Sequence, residues 1–315
     1  MKQIDYYIEK AERIAMSGHV RPDGDCIGST LALYNYIKEN YPEKEIFLPL
    51  DEILDSFHFL KSSEEIDYTY PEKEPFDLFV SLDCADSSRL EEAEKYLNAA
   101  KYTLCIDHHV SNQGFADENQ IVPDASSTCE VLYDLLDPAK VSRETAECLY
   151  VGIIHDSGVF QYSCTSENTF RVAGRLISTG FDFTKIIDDT FNKKSYDQNR
   201  ILGKTLEESR LHLDGKAVSG FVSKEDMETY HVLPKHLDGI VGQLRFTRGV
   251  EVAVFGYPLD ENTIKISFRS NGADVAQLAS FFGGGGHVRA AGCSIQARTW
   301  EEALKKILPQ LEKVV

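Results

Sequence analysis

The chain has 315 residues, 42% hydrophobic and 27% charged, a globular composition long enough for two domains. Its 33 basic and 51 acidic residues give a net charge of −18, which excludes a binder of long duplex nucleic acid, because such binding draws on Lys and Arg neutralising phosphates. No uninterrupted apolar run is long enough to span a bilayer, and seven scattered cysteines without a C-x-x-C pair point to a reduced cytoplasm rather than a disulfide framework or zinc knuckle.

The opening stretch MKQIDYYIEKAERIA carries acids early and lacks the apolar core of a signal peptide. RIAMSGHV (13–20) reads as a first strand. IGSTLALYNYIKENY (27–41) has apolar residues at helical spacing and stops at Pro42. EIFLPL (45–50), FDLFVSLDC (76–84) and YTLCID (102–107) are short, nearly continuous apolar runs, which suits strands buried on both faces of a parallel sheet. Helices are expected over 127–136, 144–156 and 166–180, the last closed by Gly180. The pattern predicts an α/β domain, a parallel sheet with helices on both faces. The polar, helical stretch 185–210 reads as a connector. Beyond it, 216–223, 250–259 and 263–270 read as strands and 299–313 as a closing helix, a smaller α/β unit across a cleft from the first. The expected division is 1–188, a linker at 189–210, and 211–315.

The strand-like runs end in acids and imidazoles. HVRPDGDCIGS places His19, Asp23 and Asp25 after the first strand; SLDCADSSRL places Asp83 at the tip of another; IDHHV places Asp107, His108 and His109 at a third. Asp156 follows a helix in GIIHDSGVF. Carboxyl ends of parallel strands share one edge, where ligands bind, so His19, Asp23, Asp25, Asp83, His108 and Asp156 are expected to converge. Four carboxylates crowded together disfavour ionisation, and two dications would relieve that. Carboxylates and imidazoles without thiolates suit Mn²⁺ or Mg²⁺ ahead of zinc. Such a pair stabilises the attacking and leaving oxygens of a displacement at phosphorus. In this reading His108 is a ligand, Asp107 stands behind it, and His109 is a donor aimed at the phosphoryl group. Any one of these residues alone would be an ordinary turn or solvated side chain; the ordered series carries the signal.

FFGGGGHVRAAGCSI (281–295) is a second signal. Four glycines remove every Cβ, so the run reads as a loop able to approach an anion closely. Gly285, Gly286, His287 and Arg269 are the substrate-binding candidates, in a stretch that is locally basic within an acidic protein. Other residues read as structural. Cys26 and Cys84 are expected to pack, Asp86 and Arg89 to pair with each other in preference to touching substrate, His155 to point away from the site, and His231 and His236 to lie on the surface. The aromatics of FTRG and FRS are assigned to core packing.

HVRPDGDCIGS, SLDCADSSRL, IDHHVSN and HDSGVF resemble the four motifs of the DHH phosphoesterases, and GGGGHVRAAG resembles that of their DHH-associated C-terminal domain. The resemblance covers about residues 10–300, and the chain is similar in length to the family's stand-alone bacterial nanoRNase/pAp-phosphatase branch. It implies one Mn²⁺ on His19, Asp23 and Asp83 and a second on Asp25, Asp83, His108 and Asp156, with Asp83 bridging and Mg²⁺ or Co²⁺ as substitutes. It implies a phosphate-facing His109, and Arg269 and His287 as a clamp on the far phosphate or nucleotide. Cys26 stands where the family commonly has Ala, and Ser157 where Thr is common. The implied activity is hydrolysis of short oligoribonucleotides and of 3′-phosphoadenosine 5′-phosphate (pAp), in the cytoplasm, with a homodimer left open. Three alternatives stand beside it: a cyclic di-AMP or pApA phosphodiesterase, a pyrophosphatase or polyphosphatase, and a non-catalytic nucleotide-binding module.

Overall fold

Apolar runs without alternation become strands enclosed on both faces. In a computed structural model of the chain, which describes residues 3–315, β1 (Arg13–Ser17), β2 (Glu45–Phe47), β3 (Leu78–Leu82), β4 (Thr103–Asp107) and β5 (Glu118–Ile121) form a wholly parallel sheet in the order β2-β1-β3-β4-β5. All five residues of β3 are buried. The chain adds β2 to one side of β1 and β3 to the other. Connections therefore diverge at the carboxyl ends of β1 and β3, the switch point where open α/β sheets leave a crevice.

Two long helices pack together beside this sheet, Gly24–Asn40 and Arg143–Asp156. Glycine sets their close approach. A Cβ at Gly28 would lie 2.5 Å from the Cys148 carbonyl oxygen, and one at Gly152 would lie 2.2 Å from Cys129 Sγ and 2.5 Å from Asp25 Oδ1. The predicted helix at 27–41 starts earlier, at Gly24, because Asp23 caps it by accepting the amides of Asp25 and Cys26 at 3.0 and 3.2 Å. This unit extends to Lys193.

The second unit, Lys194–Val315, holds a mixed sheet of β6 (Arg210–His212), β7 (Ala217–Phe221), β8 (Val252–Pro258), β9 (Thr263–Ser270), β10 (Gly285–His287) and β11 (Ala290–Gln296), in the order β10-β11-β9-β8-β7-β6. Val252 and Val254 enter one apolar cluster while Ala253 and Phe255 enter another, so β8 is covered on both faces. The closing helix Trp300–Leu311 buries Trp300, Ala303, Leu304, Ile307 and Leu311 on one stripe. Leu304, Ile307 and Leu311 each contribute up to roughly 1.5–3 kcal/mol, which together outweighs the ~3 kcal/mol that Pro309 costs inside a helix. The helix Tyr196–Glu207, within the stretch read as a connector, buries Ile201 in the second unit's core.

The glycine run corrects the sequence reading. It is not a free loop: β10 pairs antiparallel with β11 through Gly285↔Gly292, Gly286↔Ala291 and His287↔Ala290. A Cβ at Gly284 would lie 2.2 Å from the Gly292 carbonyl oxygen, and one at Gly286 would lie 2.5 Å from that of Ala290. Those two glycines permit strand packing, whereas Gly285 faces open space.

Candidate metal centre

Each candidate residue is carried to the sheet edge by local chemistry. His19 follows β1 through Gly18, where a Cβ would lie 2.9 Å from the Leu82 carbonyl oxygen. Asp83 follows β3 directly with φ +53°, a left-handed conformation that Asp tolerates better than most residues. Asp107 ends β4, and Asp156 ends the helix Arg143–Asp156. Asp25 is fully buried, and its carboxylate meets the N-terminus of the helix Thr128–Leu135. Oδ2 accepts the Thr128 amide at 2.6 Å and Oδ1 the Cys129 amide at 2.9 Å. A helix N-terminus favours an anion there, with its free N–H groups and its dipole.

The side chains converge. His108 Nε2 lies 3.0 Å from Asp156 Oδ2, 3.6 Å from Asp83 Oδ1 and 3.8 Å from Asp25 Oδ2. His19 Nε2 lies 3.5 Å from Asp83 Oδ2 and 3.7 Å from Asp23 Oδ2. Asp83 thus turns one oxygen to each imidazole. Thr128 Oγ1 donates to Asp83 Oδ1 at 3.1 Å. His19 Nδ1 sits 2.9 Å from the Val20 carbonyl oxygen, which selects the tautomer with a lone pair on Nε2, the form a ligand needs.

Two observations test whether a dication fits. His108 Nε2 is buried and forms no well-aligned hydrogen bond, although Asp156 Oδ2 lies 3.0 Å away, an arrangement that calls for an explanation. Ligand atoms of Asp25, His108 and Asp156 lie within 4.8 Å of one another, as do those of His19, Cys26 and Asp83. The donor set is oxygen and imidazole nitrogen, which suits a hard or borderline divalent ion. Cys26, expected only to pack, brings its buried thiol beside His19 and Asp83. Asp23 is exposed, and its Oδ1 is taken by the helix cap.

The charges are mutually strained in the way crowding predicts. Burial, then the neighbouring Asp83 and Asp156, push the Asp25 carboxyl well above the usual range. Burial pushes Asp156 up to about 6 against the pull of His108. Burial opposes the charged form of His19, but Asp23 and Asp83 outweigh it and raise the imidazole to about 10. His108 is likewise raised to about 10, burial being outweighed by Asp156 and Asp25.

Behind the pocket, buried Asp107 accepts from Asn112 Nδ2 at 2.7 Å, and His109 Nδ1 sits 2.8 Å from its other oxygen. Burial works against the His109 imidazolium, but Asp107 outweighs it and raises the pKa. In the second unit, Arg269 and His287 stand in one row: Arg269 pairs with Ala290 on β11, which pairs with His287 on β10. Directly opposed residues share a face, so the two side chains flank Ala290 about two strand spacings apart, roughly 10 Å.

The expected Asp86–Arg89 pair is absent. Asp86 Oδ1 accepts from the Ser88 amide at 3.1 Å, whereas Arg89 Nη2 lies 3.3 Å from His19 Nδ1. A capping carboxylate two residues from an amide wins because it needs no long side chain ordered. His155 points away from the pocket, its Nε2 3.0 Å from Thr190 Oγ1. The sequence reading missed Thr128, the Cys129 amide and Asn112. Ser127, which caps the helix through the Glu130 amide, was the available signal for the first two.

Gly152 lends itself to a direct check. Gly152→Ala is expected to push Cys129 and Asp25 apart, lower stability by about 1–3 kcal/mol and weaken divalent-cation binding. A thermal melt with and without a divalent cation reads both.

The fold and pocket define a two-unit α/β protein whose parallel sheet edge gathers acids and imidazoles fit for divalent cations. The DHH family N-terminal domain matches residues 13–153, and the DHHA1 domain matches residues 215–315. The chain belongs to the DHH family of phosphoesterases. It is 31% identical to the bifunctional oligoribonuclease and PAP phosphatase NrnA of Bacillus subtilis, over 96% of this chain and 94% of the relative. It is 30% identical to the Thermus thermophilus protein of the same description, over 94% and 88%. The crystal structure of an exopolyphosphatase-related protein from Bacteroides fragilis superposes with a TM-score of 0.90 at 28% identity, covering 98% of this chain and 94% of that one. No helix among the described residues is long and apolar enough to cross a membrane.

Proposed function

We propose that this protein is a Mn²⁺-dependent phosphoesterase that hydrolyses short oligoribonucleotides and removes the 3′-phosphate of pAp. The observation that carries the reading is Asp83, one carboxylate oxygen turned toward His19 and the other toward His108. His19, Asp23 and Asp83 would hold one ion and Asp25, Asp83, His108 and Asp156 the other. The ions supply an activated water and neutralise charge at phosphorus. His109, oriented by Asp107, donates toward the phosphoryl oxygens. Arg269 and His287, with the open face at Gly285 and the neighbouring Gly286, hold the far phosphate or nucleotide. Similarity to relatives described as acting on oligoribonucleotides and PAP supports this substrate class. Free cysteines throughout the described residues suit a reducing cytoplasm.

The test is a panel of pAp, a diribonucleotide, pApA, cyclic di-AMP and pyrophosphate with purified protein and Mn²⁺. Turnover of the first two is expected to exceed the others. No release of phosphate from pAp or mononucleotide from the dinucleotide would reject the reading, and preference for cyclic di-AMP or pyrophosphate would replace it.

Metal loading near neutral pH should release protons, because His19 and His108 are held protonated up to about pH 10 in the ion-free pocket. A dication needs their neutral forms. Affinity for Mn²⁺ is therefore expected to rise with pH. Calorimetry in two buffers of different ionisation enthalpy should report net proton release on filling the pocket; a buffer-independent enthalpy contradicts this.

A further inference from the structure

The guanidinium of Arg89 stands against the Nδ1 edge of His19 without an acidic partner. Arg89 lies in the turn Ser87–Ala93 after β3 and is exposed. Its backbone carbonyl accepts the Val20 amide at 2.9 Å, which ties the segment after β3 to the segment after β1. Its side chain contacts His19 Nδ1 at 3.3 Å. No carboxylate lies within ion-pair distance of it among the described residues. This is unexpected in a chain with 51 acids and 33 bases, since Asp86 is three residues away and is used on Ser88 instead.

The contact with His19 does not explain the placement. Nδ1 is nearer the Val20 carbonyl, at 2.9 Å, and in the tautomer that donates there Nδ1 carries a hydrogen. A guanidinium has five donors and no acceptor, so in that tautomer the two groups abut and form no hydrogen bond. Arg89 also stays clear of the crowded carboxylates of the pocket, so it does not offset their charge by direct contact. What remains is a planar, permanently charged fork on the exposed rim, fixed at its backbone and with its donors unspent. Such a fork matches two oxygens of a phosphate.

We infer that Arg89 binds the phosphoryl group being hydrolysed, from the His19 side of the pocket. The inference rests on the phosphoesterase reading and adds a substrate contact to it. Arg89 would grip non-bridging oxygens of a terminal phosphate or an internucleotide phosphate, and on hydrolysis would hold the phosphate released from pAp. Its role is distinct from that of Arg269 and His287, which are on the second unit.

Inorganic phosphate serves as the probe. The parent protein is first shown to bind Mn²⁺ and to turn over pAp, which tests the underlying reading by itself. In Arg89→Gln, Mn²⁺ affinity measured by the EPR signal of free Mn²⁺ is expected within about twofold of the parent. The inhibition constant of phosphate and the KM for pAp are expected to rise about ten- to a hundredfold, the weight of a charge-assisted hydrogen bond. Arg89→Lys should recover part of the loss, because it keeps the charge and loses the fork. Phosphate inhibition unchanged in Arg89→Gln overturns the inference. So does a fall in Mn²⁺ affinity large enough to account for the lost turnover, which would make Arg89 a support for His19 only.

Discussion

Asp83→Asn is expected to lower pAp turnover about a thousandfold or more and to reduce bound Mn²⁺ from two ions to one or none. A metal acting as Lewis acid and water activator is worth several kcal/mol, and about 4 kcal/mol is a thousandfold. Asp83 turns an oxygen toward each imidazole, so its loss touches both candidate ion positions, whereas loss of Asp25 or Asp156 touches one. Asn is the cleaner replacement because φ is +53° there, and a left-handed Ala carries its own backbone penalty of roughly 1–2 kcal/mol. Two Mn²⁺ retained by Asp83→Asn would contradict the bridging role.

His109→Ala is expected to lower kcat for pAp by about a hundred- to ten-thousandfold, the range for a lost proton donor at a reacting group, with two Mn²⁺ still bound. Its ring is set by Asp107, which Asn112 holds from the other side. Asp107→Asn should therefore act in the same direction but more mildly, about ten- to a hundredfold, as is usual when a group that orients a reactive imidazole is altered. Single-turnover rates and metal stoichiometry measured together separate the two roles. If His109→Ala lost an ion in proportion to its activity, His109 would be a ligand instead.

The strands that carry the pocket were legible because burial on both faces leaves a run of apolar residues, as at 78–82 and 104–106. The converging acids were legible because a strand end in a parallel sheet names its edge. β5 was not, since Glu118–Ile121 is a half-buried strand of mostly polar residues without alternation. β10 was hidden because its glycines serve both close strand packing and loop flexibility, and composition does not separate the two. The donors to Asp25 were harder to read: they are main-chain amides of Thr128 and Cys129, which any residue but proline supplies, and only the capping Ser127 marked the helix start that presents them. Arg89 was misread because proximity in sequence favoured Asp86, while a local cap on Ser88 took that carboxylate.

Every residue assigned to the cation pocket lies at or before position 156, and the groups that hold Asp25 in place come from 128 and 129. The pocket is therefore encoded wholly in the first half of a 315-residue chain. Its residues leave the ribosome ahead of the second unit, and N-terminal domains generally fold first during synthesis. Manganese would then act as an early fastener for a half-born protein, screening acids that otherwise push the emerging sheet apart.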